Sequence, residues 1–267
     1  MYTENPFLAD EIRANLAKYS KYNELLYSYD GRFNDLPQIS TAKLWEFKSK
    51  TMLKTFREKE IRLRYALDFI DQEKTILDWG MGGGEIYQGL KEGNRKNYVG
   101  IDVAKSFVES MKKRFPQGNF KTMNLEDIED NSFFQVCALE VFEHIAAPSL
   151  PQKMVKINKI VKDNGYLICS VPLYEQLRFV TFSCPICGSL ANKEGHCRSY
   201  TPELIKAELY LGGFEVVDYR YVWPVGYDWM VELYHKIKRI LKQGKPVNIV
   251  IKARKFTNEP EFKIYER

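Results

Sequence analysis

The sequence predicts an α/β fold with a doubly wound, mostly parallel sheet of seven strands, an antiparallel last strand and an N-terminal helical extension. Three observations support this fold class. Short β-rich runs alternate with helical segments from residue 75 onward, and such long connections suit parallel strands, which need crossovers of about a dozen residues or more. The N-terminal part is free of glycine over long stretches. A glycine-rich turn follows the first predicted strand directly.

The N-terminal part of the chain is predicted to be helical. The segments FLADEIRANLAKYSKYNELLYSY and STAKLWEFKSKTMLKTFREKEIRLRYALDFI contain no internal Gly or Pro, the residues that most disfavour a helix interior. Ser40 or Thr41 is a suitable N-cap for the second segment. These features predict a helical extension over residues 1–73, followed by an α/β domain over residues 74–267.

Seven β-rich runs define the predicted sheet. They cover residues 75–79, 98–103, 120–125, 133–139, 166–171, 214–222 and 248–256. An aromatic, basic helical segment over residues 227–242 separates the last two runs, and this arrangement indicates a sheet whose far edge finishes antiparallel.

Composition limits the classes of protein that the chain can belong to. With 267 residues and 45% apolar residues, the chain can bury a sizeable core. It has no apolar run near the roughly 20 residues of a membrane-spanning helix and no signal-peptide pattern, so we expect a cytoplasmic protein without a membrane span. Five cysteines in that setting argue against disulfides, and Cys137 and Cys169 lie in predicted core strands.

A basic strip lies near the end of the chain. From Lys236 to Lys255 there are eight Lys or Arg residues and no Asp or Glu. One interpretation is a solvated helix face followed by an edge strand that lysines protect from pairing. The other is a surface for an anionic partner such as a nucleic acid.

The glycine-rich turn predicts a nucleotide-like pocket. Asp78 ends the first strand, Gly80, Gly82, Gly83 and Gly84 follow, and Asp102 ends the next strand. In open α/β folds, ligands bind at this carboxyl edge of the sheet. The dinucleotide pattern would need glycine where Glu85 stands, and no Gly-Lys-Ser/Thr follows as a Walker motif would require.

This arrangement resembles motif I of class I S-adenosylmethionine (SAM) dependent methyltransferases, which have a Rossmann-like sheet. The resemblance covers residues 77–214 and implies SAM as cofactor, with Asp102 accepting hydrogen bonds from both ribose hydroxyls. It places Asn124 and Leu125, in TMNLEDI, around the adenine. The cofactor-binding set that it implies is Asp78, Gly80, Gly82, Gly84, Asp102, Asn124, Leu125 and Glu140.

The exit of the fourth strand carries the candidate catalytic residues. The segment FFQVCALEVFEHI resembles the LEVLEHV segment of the ubiquinone-biosynthesis type of methyltransferase. A hydroxyl acceptor would need a base, and His144 is the candidate base with Glu143 orienting it; alternatively, His144 only holds the loop. Glu140, Glu143, His144 and His196 also resemble the metal-ligand set of metal-dependent small-RNA 2′-O-methyltransferases, which suits Mg²⁺ or Mn²⁺.

An insertion over about residues 174–200 contains the segment FSCPICGSLANKEGHCRSYTPEL. Cys184 and Cys187 have the form of half a zinc knuckle, which His196 and Cys197 would complete as a structural zinc site. Free thiols and a redox pair are the alternatives. The segment resembles a C-P-x-C-G…G-H-x-R insertion of some SAM methyltransferases, and that resemblance implies that His196 closes the pocket.

These observations predict a SAM-dependent methyltransferase that methylates a hydroxyl of a small-molecule or glycan- or lipid-like acceptor. One alternative is a metal-dependent RNA 2′-O-methyltransferase, for which the basic strip would be the binding face. Another is a SAM-binding partner protein without catalytic activity.

Overall fold

A computed structural model describes residues 57–145, 149–183, 190–192, 194–225, 233–234, 236, 238 and 244–259 of the chain. The helical segments predicted before residue 57 lie outside the described residues. So do Cys184, Cys187 and most of the predicted helical segment over residues 227–242, of which the described residues 233, 234, 236 and 238 are helical.

A seven-stranded sheet forms the centre of the molecule, in the order β3-β2-β1-β4-β5-β9-β8. Strands β1 to β5 run parallel, whereas β9 is antiparallel to both of its neighbours, as predicted for the last strand. The strands are β1 Ile76–Trp79, β2 Tyr98–Asp102, β3 Phe120–Thr122, β4 Phe133–Leu139, β5 Val161–Pro172, β6 Thr181–Ser183, β7 Leu190–Asn192, β8 Phe214–Val222 and β9 Asn248–Lys255.

Two strand predictions differ from the structure by more than one residue in their bounds. Strand β3 ends at Thr122, which pairs with Asp102, because its single neighbour β2 ends there; a 3₁₀ turn, Leu125–Asp127, follows. Strand β5 starts at Val161 rather than at residue 166, because it pairs with β4 again beyond the irregular segment around Asn164.

Helices cover both faces of the sheet. Alternating strand residues separate the two hydrophobic clusters: Ile76 belongs to one and Leu77 to the other, as the two-residue period of a strand requires. The first cluster contains residues of α1, α2 and α3, and the second contains residues of α4 and α5. The helices are α1 Arg57–Phe69, α2 Glu85–Gly89, α3 Lys105–Arg114, α4 Leu150–Ile160 and α5 Pro202–Leu211.

The structure describes part of the predicted N-terminal extension and part of the predicted insertion. Helix α1 lies in the predicted N-terminal extension, and its Ala66 and Phe69 pack in the same cluster as Ile168 and Val250 of the sheet. The predicted insertion contains a separate two-stranded antiparallel sheet, β6 and β7. Among the helices of the described residues, none is long and apolar enough to cross a membrane.

The interpretation of the last basic run as an edge strand was wrong. Strand β9 lies inside the sheet between β5 and β8, and β8 forms the edge. Lys255 is accordingly only 8% exposed, and its ammonium donates a hydrogen bond to the Val161 carbonyl at 2.8 Å. Cys137 and Cys169 are fully buried in β4 and β5, as predicted.

Candidate functional site

The glycine turn joins β1 to α2 at the carboxyl edge of the sheet. Gly80, Gly82 and Gly84 have φ values of 74°, 50° and 71°, in the left-handed region that side chains disfavour. At two of these positions, a Cβ would also come too close to a neighbouring side chain. A Cβ on Gly80 would lie 2.8 Å from Cγ2 of Val141, and one on Gly84 would overlap the side chain of Met111.

Asp102 connects the end of β2 to this turn. Its Oδ2 accepts a hydrogen bond from the Gly82 amide at 3.0 Å, and its Oδ1 accepts one from the Ala104 amide at 2.8 Å. Burial raises the pKa of Asp102, while these backbone hydrogen bonds act against that rise. The carboxylate is therefore positioned beside the glycine turn without help from a ligand.

Asp78 lies beneath the turn and is buried. The hydroxyl of Tyr98 in β2 donates a hydrogen bond to Asp78 Oδ2 at 2.6 Å. Burial is the main cause that raises the pKa of Asp78 to about 7, and the hydrogen bond from Tyr98 partly offsets it. A carboxylate in this position is costly to ionise because no cation of the described residues compensates for its desolvation.

The predicted adenine residues follow β3. Asn124 is exposed, and its carbonyl accepts a hydrogen bond from the Asp127 amide at 3.3 Å. Leu125 is 1% exposed and packs in the cluster that contains Leu77 and Ile101. Asn124 therefore offers a polar side chain to a ligand at this edge, whereas the Leu125 side chain serves the core.

Glu140 follows β4 in a left-handed conformation, with φ 55°. Its Oε1 accepts hydrogen bonds from Ser170 Oγ at 2.8 Å and from Asn248 Nδ2 at 2.9 Å. Its Oε2 lies 3.1 Å from Nη1 of Arg62 in α1. Glu140 thus belongs to a network that joins α1, β5 and β9 above the sheet.

Glu143, His144 and His196 form a second polar group. One potential ligand atom from each residue lies within 4.8 Å of the others. His144 Nδ1 lies 3.0 Å from the Gly195 carbonyl, and His144 Nε2 lies 4.0 Å from Glu143 Oε1. His196 Nδ1 lies 2.7 Å from a carboxylate oxygen of Glu175.

Glu143 is the unusual member of this group. Its side chain is 0% exposed, and neither carboxylate oxygen has a hydrogen-bond partner in the described residues. Burial, and then the nearby charge of Glu140, raise the pKa of Glu143 well above its ordinary value. Such a buried, unsatisfied carboxyl costs free energy unless a cation or a donor meets it.

The end of the insertion is attached to the exit of β4. The Cys197 amide donates a hydrogen bond to the Glu143 carbonyl at 2.7 Å, which brings the Gly-His-Cys segment beside His144. His196 thus joins Glu143 and His144. Cys197 Sγ lies 3.8 Å from the His144 carbonyl, and Cys197 is not a member of the metal-capable group in the described residues. The predicted zinc site stays a prediction because Cys184 and Cys187 lie outside the described residues.

Sequence reasoning missed several residues that complete these groups. They are Arg62, Tyr98, Ser170, Glu175 and Asn248. Arg62, Ser170 and Asn248 lie at least 30 residues from Glu140, and Glu175 lies 21 residues from His196 within the predicted insertion, so motif spacing carried no signal for them. The only sequence signal for Tyr98 was its place at the start of the strand that Asp102 ends.

The comparisons with known proteins agree with this geometry. Residues 77–169 match a family model described as a methyltransferase domain. No curated protein matches the chain significantly.

Several solved structures share the fold. A SAM-dependent methyltransferase of Archaeoglobus fulgidus has a TM-score of 0.54 and 16% identity, covering 79% of this chain and 99% of that chain. The Burkholderia thailandensis 1,6-didemethyltoxoflavin-N1-methyltransferase, solved with 1,6-didemethyltoxoflavin and S-adenosylhomocysteine (SAH), has a TM-score of 0.53 and 14% identity, covering 90% of each chain. A Haloferax volcanii methyltransferase, solved with the Trm112 methyltransferase activator, has a TM-score of 0.55 and 15% identity. The match covers 80% of this chain and 98% of that chain.

The match over residues 77–169, together with the glycine turn and Asp102, identifies this part of the chain as a methyltransferase domain. The sheet is shared with solved structures of SAM-dependent methyltransferases.

Proposed function

We propose that this methyltransferase transfers the methyl group of SAM to a hydroxyl of a small-molecule or glycan- or lipid-like acceptor. The observation that carries the proposal is the group of Glu143, His144 and His196, where the insertion meets the exit of β4. A hydroxyl must lose a proton during methyl transfer, and an imidazole is the usual base for that step near neutral pH.

The cofactor half of the site is proposed to bind SAM as follows. The glycine turn allows the ligand to approach the backbone closely, and Asp102 accepts hydrogen bonds from the ribose hydroxyls. Asp78 supports the turn from below, and Asn124 lies beside the adenine. The carboxylate of Asp102, already oriented by the Gly82 amide, supports this assignment.

His144 is proposed as the base because its ring is oriented. The Gly195 carbonyl can only accept a hydrogen bond, so the 3.0 Å contact places a proton on His144 Nδ1 in the neutral ring. In that tautomer Nε2 carries the lone pair that can accept a proton from an acceptor hydroxyl. Glu143, 4.0 Å from Nε2, is proposed to orient the ring.

The test is SAH release from SAM with pools of phenolic, sugar and polyprenyl alcohol acceptors. We expect His144→Gln to lower the rate by about 100-fold while SAM binding is retained, since general-base catalysis contributes roughly 10²–10⁴-fold. Glu203→Gln, a change of an exposed acid in α5, serves as the control. An unchanged rate in His144→Gln would show that His144 is not the base of the reaction.

A metal-dependent reaction is a second candidate, favoured by the unsatisfied carboxyl of Glu143. Two imidazoles and one carboxylate suit a divalent cation such as Mn²⁺, and a carboxylate on His196 Nδ1 is the usual partner of a metal-binding histidine. Glu143, His144 and His196 would hold the ion. It would lower the pKa of an acceptor hydroxyl. Glu140, engaged by Arg62, Ser170 and Asn248, is not needed for this set.

The metal reading is tested by removing ions with a chelator and titrating Mn²⁺ by calorimetry. We expect binding to the wild-type protein, none to His196→Ala, and restored activity on adding Mn²⁺. Full activity in the presence of chelator, together with no Mn²⁺ binding in the calorimetric titration, would exclude the metal-dependent reaction. An RNA acceptor is tested separately, because RNA affinity through basic residues must fall steeply with salt.

A further inference from the structure

Exposed apolar side chains lie in two segments, one just after β5 and one before β9. The three most exposed large hydrophobic residues of the described chain are Phe179, Tyr234 and Leu233, with 73%, 52% and 48% of their surface in solvent. Leu177 is buried at the start of the 3₁₀ turn that Phe179 ends, and Val180 beyond it is exposed. Single exposed apolar residues are common in proteins, whereas a group of them marks an interaction surface.

The first segment, after β5, contacts the part of the chain that leads into β9. The Leu173 amide donates a hydrogen bond to the Val247 carbonyl at 2.9 Å. The Lys245 ammonium lies 5.0 Å from the centre of the Tyr174 ring. The turn that ends at Phe179 follows these contacts directly, so it lies beside residues 245–247.

The second segment reaches the same place through Gly244. The Gly244 amide donates a hydrogen bond to the Lys238 carbonyl at 3.0 Å, and the Lys238 ammonium lies 4.8 Å from the centre of the Tyr234 ring. Leu233, Tyr234 and Lys236 are helical and exposed. Both segments therefore border the same part of the protein.

Positive charge accompanies these apolar side chains. Five Lys or Arg residues occur from Lys236 to Lys245, and neither residues 176–193 nor residues 233–258 include an Asp or Glu. The side chains of Lys236 and Lys245 are exposed. The exposed side chains of the two segments form what we call the apolar-basic surface, which consists of Phe179, Val180, Leu233, Tyr234, Lys236 and Lys245.

The apolar-basic surface adjoins the proposed acceptor site around His196. Glu175 directly follows Tyr174, and its carboxylate oxygen lies 2.7 Å from His196 Nδ1. The Glu175 carbonyl also accepts a hydrogen bond from Ser199 Oγ at 2.9 Å. The part of the chain that leads to Phe179 therefore contacts the segment that carries His196.

We propose that the apolar-basic surface docks on an anionic lipid bilayer. Its apolar and aromatic side chains enter the boundary between headgroups and acyl chains, and the lysines beside them bind lipid phosphates. Aromatic rings with cations would also suit a single-stranded nucleic acid, but Leu233 and Val180 offer no stacking surface to a base. The inference rests on the proposed function and narrows it: among the proposed acceptors it selects lipid-like hydroxyls, which reach the site from the bilayer.

Vesicle flotation with the full chain, without SAM or acceptor, tests this proposal. Vesicles of phosphatidylcholine alone are compared with vesicles of phosphatidylcholine and phosphatidylglycerol in equal parts. We expect about 10-fold tighter binding to the mixed vesicles, and this preference should fall as salt rises to about 0.5 M, because salt screens the lysines. Phe179→Ser should weaken binding to the mixed vesicles about 10-fold, and Lys245→Gln about 5-fold.

Phe256→Ser and Lys112→Gln are the matched controls. Both side chains are exposed and lie away from the apolar-basic surface, because Phe256 follows the opposite end of β9 and Lys112 lies in the last turn of α3. Both variants should bind the mixed vesicles as the wild-type protein does. Phe179 and Lys245 are exposed too, so their substitution should leave the melting temperature unchanged.

Mixed-vesicle binding that is absent, or that Phe179→Ser leaves unchanged, would overturn the proposal. So would either of two results in place of vesicle binding: single-stranded RNA binding that Lys245→Gln weakens and Phe179→Ser does not, or a dimer in gel filtration that Phe179→Ser dissociates. Vesicle binding is measured without methyl transfer, so it persists if the acceptor atom is not a hydroxyl. Conversely, absent vesicle binding leaves hydroxyl transfer to water-soluble acceptors standing.

Discussion

The proposed cofactor half and the proposed acceptor half of the site are built in different ways. In the cofactor half, Asp102 accepts hydrogen bonds from Gly82 and Ala104, so its partners lie within or directly after one β-α-β unit. In the acceptor half, His144 meets Gly195 across 51 residues of sequence, and His196 meets Glu175 across 21. One supersecondary unit forms the first half, whereas the second joins the exit of β4 to the predicted insertion.

The two halves also differ in how their acids are satisfied. Asp102 has two backbone donors, and Asp78 has one phenol donor, whereas the Glu143 carboxyl has no hydrogen-bond partner in the described residues. The cofactor half is thus complete without its ligand. In the acceptor half, the Glu143 carboxyl still needs a proton, a substrate donor or a cation. Four predictions test this contrast, in order of decreasing size.

The largest effect is expected from Asp78 and pH. The pKa of this carboxyl is about 7 in the folded protein and near 3.8 when unfolded, so the folded state binds the extra proton. Stability from this group is therefore fully present below about pH 4 and is lost as the pH rises to 7, by on the order of 4 kcal/mol. Urea unfolding of wild type and Asp78→Asn between pH 4.5 and 8 measures it.

Asp78→Asn is neutral at every pH and can still accept the hydrogen bond from Tyr98. The difference in unfolding free energy between the two proteins should therefore move in favour of the variant as the pH rises. A difference that does not depend on pH would show that Asp78 titrates normally.

The second prediction concerns Asp102. Asp102→Ala should weaken SAM binding on the order of 100-fold, because it removes hydrogen bonds from an ionised group, worth about 1.5–3 kcal/mol each. Asp102→Asn should be milder, since one acceptor oxygen remains. Calorimetry measures both, with Glu109→Gln on α3 as the control. Unchanged affinity in Asp102→Ala would contradict the cofactor assignment.

The third prediction concerns Gly84. Gly84→Ala should lower the free energy of unfolding by about 2 kcal/mol, because it adds left-handed strain and crowds Met111. In a Met111→Ala background, Gly84→Ala should cost less than it does in the wild-type protein, because the crowding is gone and only the left-handed strain remains. Gly93→Ala, where a Cβ has open space, should change stability little. Equal losses at Gly84 and Gly93 would rule out the steric explanation.

The smallest effect is expected in the acceptor half. Glu175→Gln should lower kcat about 10-fold, since outer partners of functional histidines typically contribute 10–100-fold, while SAM affinity is unchanged. A fall in SAM affinity with unchanged kcat would place Glu175 outside the acceptor half.

The fold was predictable because its signals are local. The β-rich run before the glycine turn, the turn itself and the acid at the end of β2 can each be found in one short window of sequence. The same holds for the antiparallel last strand. The position of β9 inside the sheet was missed, because its lysines suggested an edge; Lys255 instead reaches a carbonyl of β5.

The acceptor half was predictable only as a set of candidate residues. His196 was found through a resemblance, but its partner Glu175 and the contact of His144 with Gly195 depend on how the insertion folds back. Arg62 and Asn248 carried no motif at all. Their proximity to Glu140 follows from the packing of α1 and from the position of β9 between β5 and β8. The spacing of residues in the sequence predicts neither.

The inner position of β9 has a consequence for the order of synthesis. Strands β1 to β5 and β8 all leave the ribosome earlier, yet the gap between β5 and β8 cannot close until residues 248–255 have emerged. Asn248, whose side chain contacts Glu140, thus emerges after the other six strands of this sheet. A nascent chain halted before this strand would carry an intact glycine turn but an unfinished sheet, exposed to chaperones and proteases.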